Sequence, residues 1–135
     1  MLIYLDFDGT IVEHAYPTLG SDNPGATDVI RALQDAGHEI VLNSMRADLD
    51  DGTLEDALYY LNAEENGLLE IIHYEAKKIT PEDYPVTKPV FSKFLFLDDT
   101  SKGTPLRPNL SLTQGLMVDW RIVRRDLILW GIITK

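Results

Sequence analysis

The chain predicts a three-layer α/β architecture built on a parallel sheet. Three observations carry the prediction. Short apolar runs rich in β-favouring residues alternate with stretches whose apolar residues recur at helical spacing. The apolar runs end in polar clusters: Asp6 and Asp8, Asn43 and Ser44, Asp98 and Asp99. Glycines stand where the helices should stop. Strands alternating with helices imply right-handed crossovers, so the expected arrangement is a Rossmann-like sheet with helices on both faces. In such a sheet the carboxyl ends of the strands form the ligand crevice. The three polar clusters should therefore converge on one rim.

Each element follows from local signals. "LIYLDF" reads as a short buried strand, stopped by Gly9. Residues 13–25, "EHAYPTLGSDNPG", are dense in breakers and predict a loop or small hairpin. "ATDVIRALQDAG" places Ala26, Val29, Ile30 and Leu33 on one helical face, with Gly37 as stop. "HEIVLNS" is a second buried strand. "DGTLEDALYYLNAEENG" gives Leu54, Ala57, Leu58 and Leu61, a second amphipathic helix ending near Gly67. "LLEIIHY" predicts a third strand, and residues 76–92, with three prolines, an irregular stretch. "KFLFLDD" is a fourth strand. "VDWRIVRRDLILWG" is a last helix, with Asp119 as N-cap and Gly131 as stop.

Composition narrows the class. The 135 residues suit one domain spanning 1–135, and 44% apolar with 25% charged residues is ordinary for a soluble globular protein. No apolar run approaches the ~20 residues of a membrane span, and "MLIYLDFDG" lacks the basic flank and cleavage site of a signal peptide. There is no cysteine, hence no disulfide or thiolate metal site, which suits a cytoplasmic protein. A net charge of -10 disfavours broad nucleic-acid binding, and its plain meaning is solubility.

Two aspartates one residue apart at a strand end need a cation between them, because neighbouring buried carboxylates repel. A hard divalent ion answers best: Mg2+ takes one or two carboxylates, waters and phosphate oxygens. Asp6 and Asp8 share a strand face, and alternation lets only one of Asp98 and Asp99 reach the metal directly. Gly9 lets the backbone approach a phosphoryl group. An aspartate can serve as nucleophile, while Thr10 and Ser44 can donate hydrogen bonds to phosphate and Lys88 can neutralise its charge.

These residues resemble the four motifs of the haloacid dehalogenase (HAD) superfamily of phosphotransferases, in its order: Asp-x-Asp-Gly-Thr after a strand, "IVLNSMR", the lysine of "TKP", and the acidic pair of "LFLDD". "DFDGTIVEHAYPTLG", "GHEIVLNSMR" and "VDWRIV" are similar to a group of small capless hydrolases from bacteria and their phages. The resemblance implies a HAD-like fold without a cap domain and a Mg2+-dependent phosphohydrolase. It implies Asp6 as nucleophile and metal ligand, and Asp8 as general acid and base with its carbonyl on the metal. Ser44 and Lys88 would hold the phosphoryl group, and Asp99 would bind Mg2+ with Asp98 nearby. Neither the stretch between Thr10 and Ser44 nor that between Ser44 and Lys88 has room for another folded domain. The site should be open, for a phosphorylated small molecule or macromolecule end, or be covered by a partner subunit in a homo-oligomer.

Several residues carry competing readings. Lys88 is favoured because Lys93 begins the strand that Asp98 ends, about 16 Å from the metal at ~3.3 Å per residue. Lys77 and Lys78, after the third strand, are the alternatives. Arg46 reads equally as a cation for the site or as a surface arginine. Thr100 stands where similar hydrolases often carry arginine, so any substrate contact of that arginine does not transfer. His14 reads equally as a substrate contact or a solvated loop residue, whereas His38 and His73 read as structural. "DLDDG" at 48–52 fails the EF-hand spacing and reads as a helix N-terminal cluster. Trp120 and Trp130 read as core. Two other functions compete: a receiver-like signalling domain, whose acids stand on other strands, and a phosphate- and Mg2+-binding protein without catalysis.

Overall fold

In a computed structural model the described residues are 1–74, 77–79, 94–98, 104–108 and 116–134. The architecture is mixed α/β, a small parallel sheet flanked by helices. Strands β1 (Leu2–Leu5), β2 (Glu39–Leu42) and β3 (Phe94–Leu97) run parallel in the order β2-β1-β3. Leu5 stands beside Leu42 on one side and Leu97 on the other, so the three carboxyl ends are level. Among the described residues four α-helices accompany them: α1 (Ala26–Asp35), α2 (Arg46–Leu49), α3 (Thr53–Leu61) and α4 (Trp120–Leu129).

Alternation along the strands builds two cores. Ile3, Leu5, Ile40, Leu42, Leu95 and Leu97 face the buried sides of α1, α3 and α4 in one cluster. Tyr4, Val41 and Phe96 face the other way and pack with Ile79, with the Tyr4 and Phe96 rings stacked 4.9 Å apart. Helices were expected on both faces. Among the described residues α1, α3 and α4 cover the first face, and Ile79 covers the second.

The stop signals of α1 and α4 work as expected, whereas α3 ends at Leu61, short of the expected Gly67, which closes a separate 3-10 turn at Glu64–Asn66. The Gly37 N–H donates to the Gln34 carbonyl and the His38 N–H to Leu33, closing α1 in a Schellman motif. The same pair of bonds closes α4, from Gly131 to Ile128 and from Ile132 to Leu127. Asp119 caps α4 by accepting from the Arg121 and Ile122 amides. Trp120 is buried in the core, but Trp130, also expected there, is 39% exposed. His38 is structural, within 2.9 Å of the Ile132 carbonyl.

Two elements differ from expectation. "LLEIIHY" makes one bridge, Ile72 to Val41, rather than a strand. Side-chain amides take the hydrogen bonds that a ladder would use. Gln34 donates to the Leu69 carbonyl and accepts from the Leu69 amide. Asn62 does the same at Ile71. These segments therefore need no second neighbouring strand to satisfy their backbone. Conversely, β4 (Leu106–Pro108) and β5 (Leu116–Val118) form an antiparallel pair that was not expected. Of the stretch read as irregular, only residues 77–79 are described. No helix among the described residues is long and apolar enough to cross a membrane.

Candidate functional site

The segment after β1 turns back on itself at once. The Phe7 carbonyl accepts from the amides of Thr10, Ile11 and Val12, and the Gly9 amide donates to Val12. Gly9 holds φ at 76°, a left-handed conformation that glycine adopts without steric cost. The back of this turn is bolted down. The Thr10 carbonyl accepts from Trp120 Nε1 at 2.6 Å and Asn23 Nδ2 at 2.8 Å, and the Val118 amide donates to Gly9. A β1 end fixed from behind presents Asp6 and Asp8 at the rim, beside Asn43 and Asp98 from the neighbouring strand ends.

Asp6 and Asp98 are both buried and share one cation, Lys78. Its Nζ lies 3.4 Å from Asp6 Oδ1 and 2.8 Å from Asp98 Oδ2. Burial pulls the Lys78 ammonium down, but the two carboxylates outweigh it and hold its pKa above the ordinary lysine value. The hydroxyl of Thr10 donates to Asp6 Oδ2 at 3.4 Å. Lys78 is placed by backbone clamps. Asn43, at the end of β2, donates from Nδ2 to the Ile79 carbonyl at 2.7 Å and accepts from the Ile79 amide at 2.8 Å. The Lys78 amide donates to Asp48.

Asp8 stands in a second pair. Arg46 grips both its carboxylate oxygens, Nε to Oδ2 at 2.8 Å and Nη2 to Oδ1 at 2.7 Å. The guanidinium is 1% exposed and also donates to the carbonyls of Thr18, Pro17 and Thr53. It lies over the rings of Phe7 and Tyr16, 5.2 and 5.3 Å from their centroids. The hydrogen bonds to Asp8 hold it charged above the ordinary arginine pKa, against its burial. Arg46 is thus a buried partner of Asp8, not a surface residue.

The described site therefore unites Asp6, Asp98, Thr10 and Lys78, with Asp8 bound to Arg46. Ser44 is buried one residue beyond Asn43, and its Oγ accepts from the Arg46 amide at 3.1 Å. Lys88, Lys93, Asp99 and Thr100 lie outside the described residues. Lys78, the weaker expectation, holds the cation position beside Asp6. Its sequence signal was the lysine pair after "LLEIIHY". Asn43 was expected at the rim and Arg46 read equally as a site cation, but that Asn43 clamps Ile79 and Arg46 clamps Asp8 had no sequence signal. His14 packs at the surface with its Nε2 3.1 Å from the Leu116 carbonyl. The acids of "DLDDG" do serve a helix start: Asp51 accepts from the Thr53 amide and from the Tyr16 hydroxyl.

Among the described residues no three His, Asp or Glu side chains gather into a metal-binding group. Asp6 and Asp98 supply two carboxylates, which meets the usual share of a Mg2+ site that completes its shell with water and phosphate oxygens.

Neither a family model nor a characterised protein sequence matches the chain. A solved structure does. A conserved protein from Bacteroides thetaiotaomicron is similar over 97% of this chain and 91% of its own, with 27% identity and a TM-score of 0.60. That likeness supports the α/β fold and carries no activity with it.

Proposed function

We propose that the chain is a HAD-like, Mg2+-dependent phosphohydrolase that hydrolyses phosphate monoesters through an aspartyl-phosphate on Asp6. The observation that carries this reading is the buried Asp6–Lys78–Asp98 cluster at the carboxyl ends of three level parallel strands. Among the described residues two buried acids share the Lys78 ammonium, an arrangement that costs desolvation and adds little stability, which supports a chemical role for it.

Asp6 and Asp98, with the Asp8 carbonyl, would hold Mg2+, and Asp99 joins them in the family resemblance. That two of these carboxylates already share a cation supports the fit. When bound, the ion supplies charge neutralisation at the phosphoryl oxygens. The chain's own residues do the rest. An Asp6 oxygen attacks phosphorus, and the bond from phosphorus to the ester oxygen breaks. The leaving oxygen takes a proton from Asp8. Water then attacks the phosphorus of the aspartyl-phosphate and gives a proton back to Asp8, which releases phosphate and restores Asp6. Lys78, Ser44 and Thr10 stabilise the charge on the moving group, the role expected of Lys88 from sequence. Both Asp8 oxygens accept from Arg46, so Arg46 must release one of them when Asp8 carries the proton.

The substrate class is a phosphorylated small molecule or macromolecule end, and the cysteine-free sequence supports a cytoplasmic setting. The test is hydrolysis of p-nitrophenyl phosphate with Mg2+. Asp6→Asn should lose turnover by about 10⁴-fold or more while staying folded. Full activity in Asp6→Asn rules out the mechanism.

A further inference from the structure

An apolar side chain stands exposed in the middle of the site's own sequence. Met45 is 61% exposed, although its neighbours Ser44 and Arg46 are buried. Leu49, four residues on, is 48% exposed. Met45 has helical backbone angles and leads into α2, so the two side chains share one face of that turn.

Helix geometry says where this face looks. At about 3.6 residues per turn, successive side chains stand roughly 100° apart. Arg46 lies about 100° to one side of Met45 and Asp48 about 60° to the other, while Leu49 is only about 40° from Met45. Arg46 reaches Asp8, and Asp48 accepts from the Lys78 amide. The face of Met45 and Leu49 therefore looks out between Asp8 and Lys78, and Lys78 in turn holds Asp6. Tyr16 extends the apolar surface on the Asp8 side, exposed, with its ring over the Arg46 guanidinium. Charge restricts what can lie there. Asp48, Asp50 and Asp51, all exposed, surround Leu49 in the chain, against Lys77 as an exposed cation beside Lys78. A second phosphate or a nucleic-acid strand would meet net negative charge. An uncharged apolar body would meet hydrocarbon, the usual lining of a small-molecule site.

We propose that Met45 and Leu49 form the subsite for the leaving group, and that the substrate is a monophosphate ester of an uncharged, apolar alcohol or phenol. This rests on the reading of Asp6 as the phosphoryl site. The test compares ethyl, butyl and hexyl phosphate with Mg2+, whose leaving groups differ in apolar length and hardly in acidity. Four added methylenes, each worth about two-fold when half-buried, should raise kcat/KM from ethyl to hexyl by about ten-fold or more. The double variant Met45→Ser with Leu49→Ser should bring the hexyl-to-ethyl ratio close to one. Hexylphosphonate, which is not hydrolysed, should shift the Met45 and Leu49 methyl resonances saturably, and ethylphosphonate far less. Hydrolysis with a flat series, a series unchanged in the double variant, or methyl shifts that follow protein concentration without ligand, as a second copy of the chain would cause, would each overturn the subsite alone. No hydrolysis of any ester while hexylphosphonate still shifts the methyls would overturn the phosphatase reading and support the subsite. No hydrolysis and no shift would overturn both.

Discussion

Arg46→Met removes the guanidinium that holds Asp8 and keeps most of the side chain's volume. Arg46 is 1% exposed and donates to Asp8 twice and to three backbone carbonyls. Removing one partner of a buried ion pair costs about 3–5 kcal/mol, because the other charge is left uncompensated. The Asp8 side chain keeps 19% exposure, so water recovers part of that cost. The expected loss is therefore about 3 kcal/mol, at the low end of that range. With about 2.1 cal/mol/K of unfolding entropy per residue, a chain of 135 residues should melt about 10 °C lower. Urea unfolding at neutral pH is the assay. The double variant with Asp8→Asn should lose less than the two single losses combined, with an interaction of about 2 kcal/mol. A loss below about 1 kcal/mol in Arg46→Met, or additive losses, would refute the clamp.

Further outcomes follow from the same geometry. Lys78→Met should lower kcat/KM by about 10²–10³-fold, because it removes a fixed positive charge beside Asp6. Steady-state kinetics with Mg2+ would show this, and unchanged kinetics would remove Lys78 from the site. Hydrogen bonds from Thr53 and then Tyr16 hold the Asp51 carboxyl down at about 2, below its ordinary 3.8. A depressed carboxylate contributes stability that is full above about pH 4 and fades as pH falls toward 2. Carboxyl NMR should find that titration near 2, and Thr53→Val should move it upward. At Gly20 an added Cβ would stand 2.1 Å from the Glu13 carbonyl oxygen, a backbone atom that cannot swing away. Gly20→Ala should cost about 2 kcal/mol, read by denaturant unfolding, and a neutral result would show that the loop yields.

The elements that carried their own signals were legible. α1 and α4 declare a stripe, a stop and, at Asp119, a cap, all within a few residues. The acids at the ends of β1 and β3 were legible because strand ends share a rim. What escaped depends on contacts distant in sequence. Lys78 reaches Asp6 because Asn43 grips Ile79 from 36 residues away. The ladder expected of "LLEIIHY" yields to the amides of Gln34 and Asn62, whose reach no local pattern shows. Arg46 stayed evenly poised between a site cation and a surface arginine because charged side chains are rarely fully buried, and its partners come from three separate stretches of chain. β4 and β5 are three residues each, too short for an alternation to register.

The central claim is that Asp6 carries the phosphoryl group. Protein turning over p-nitrophenyl phosphate with Mg2+ can be quenched, treated with borohydride and mapped by peptide mass spectrometry, since borohydride reduces an acyl phosphate to the alcohol. Reduction is expected at Asp6 alone, dependent on substrate and absent in Asp6→Asn. Turnover with Asp6 unmodified, or reduction at Asp8 or Asp98 instead, would contradict it.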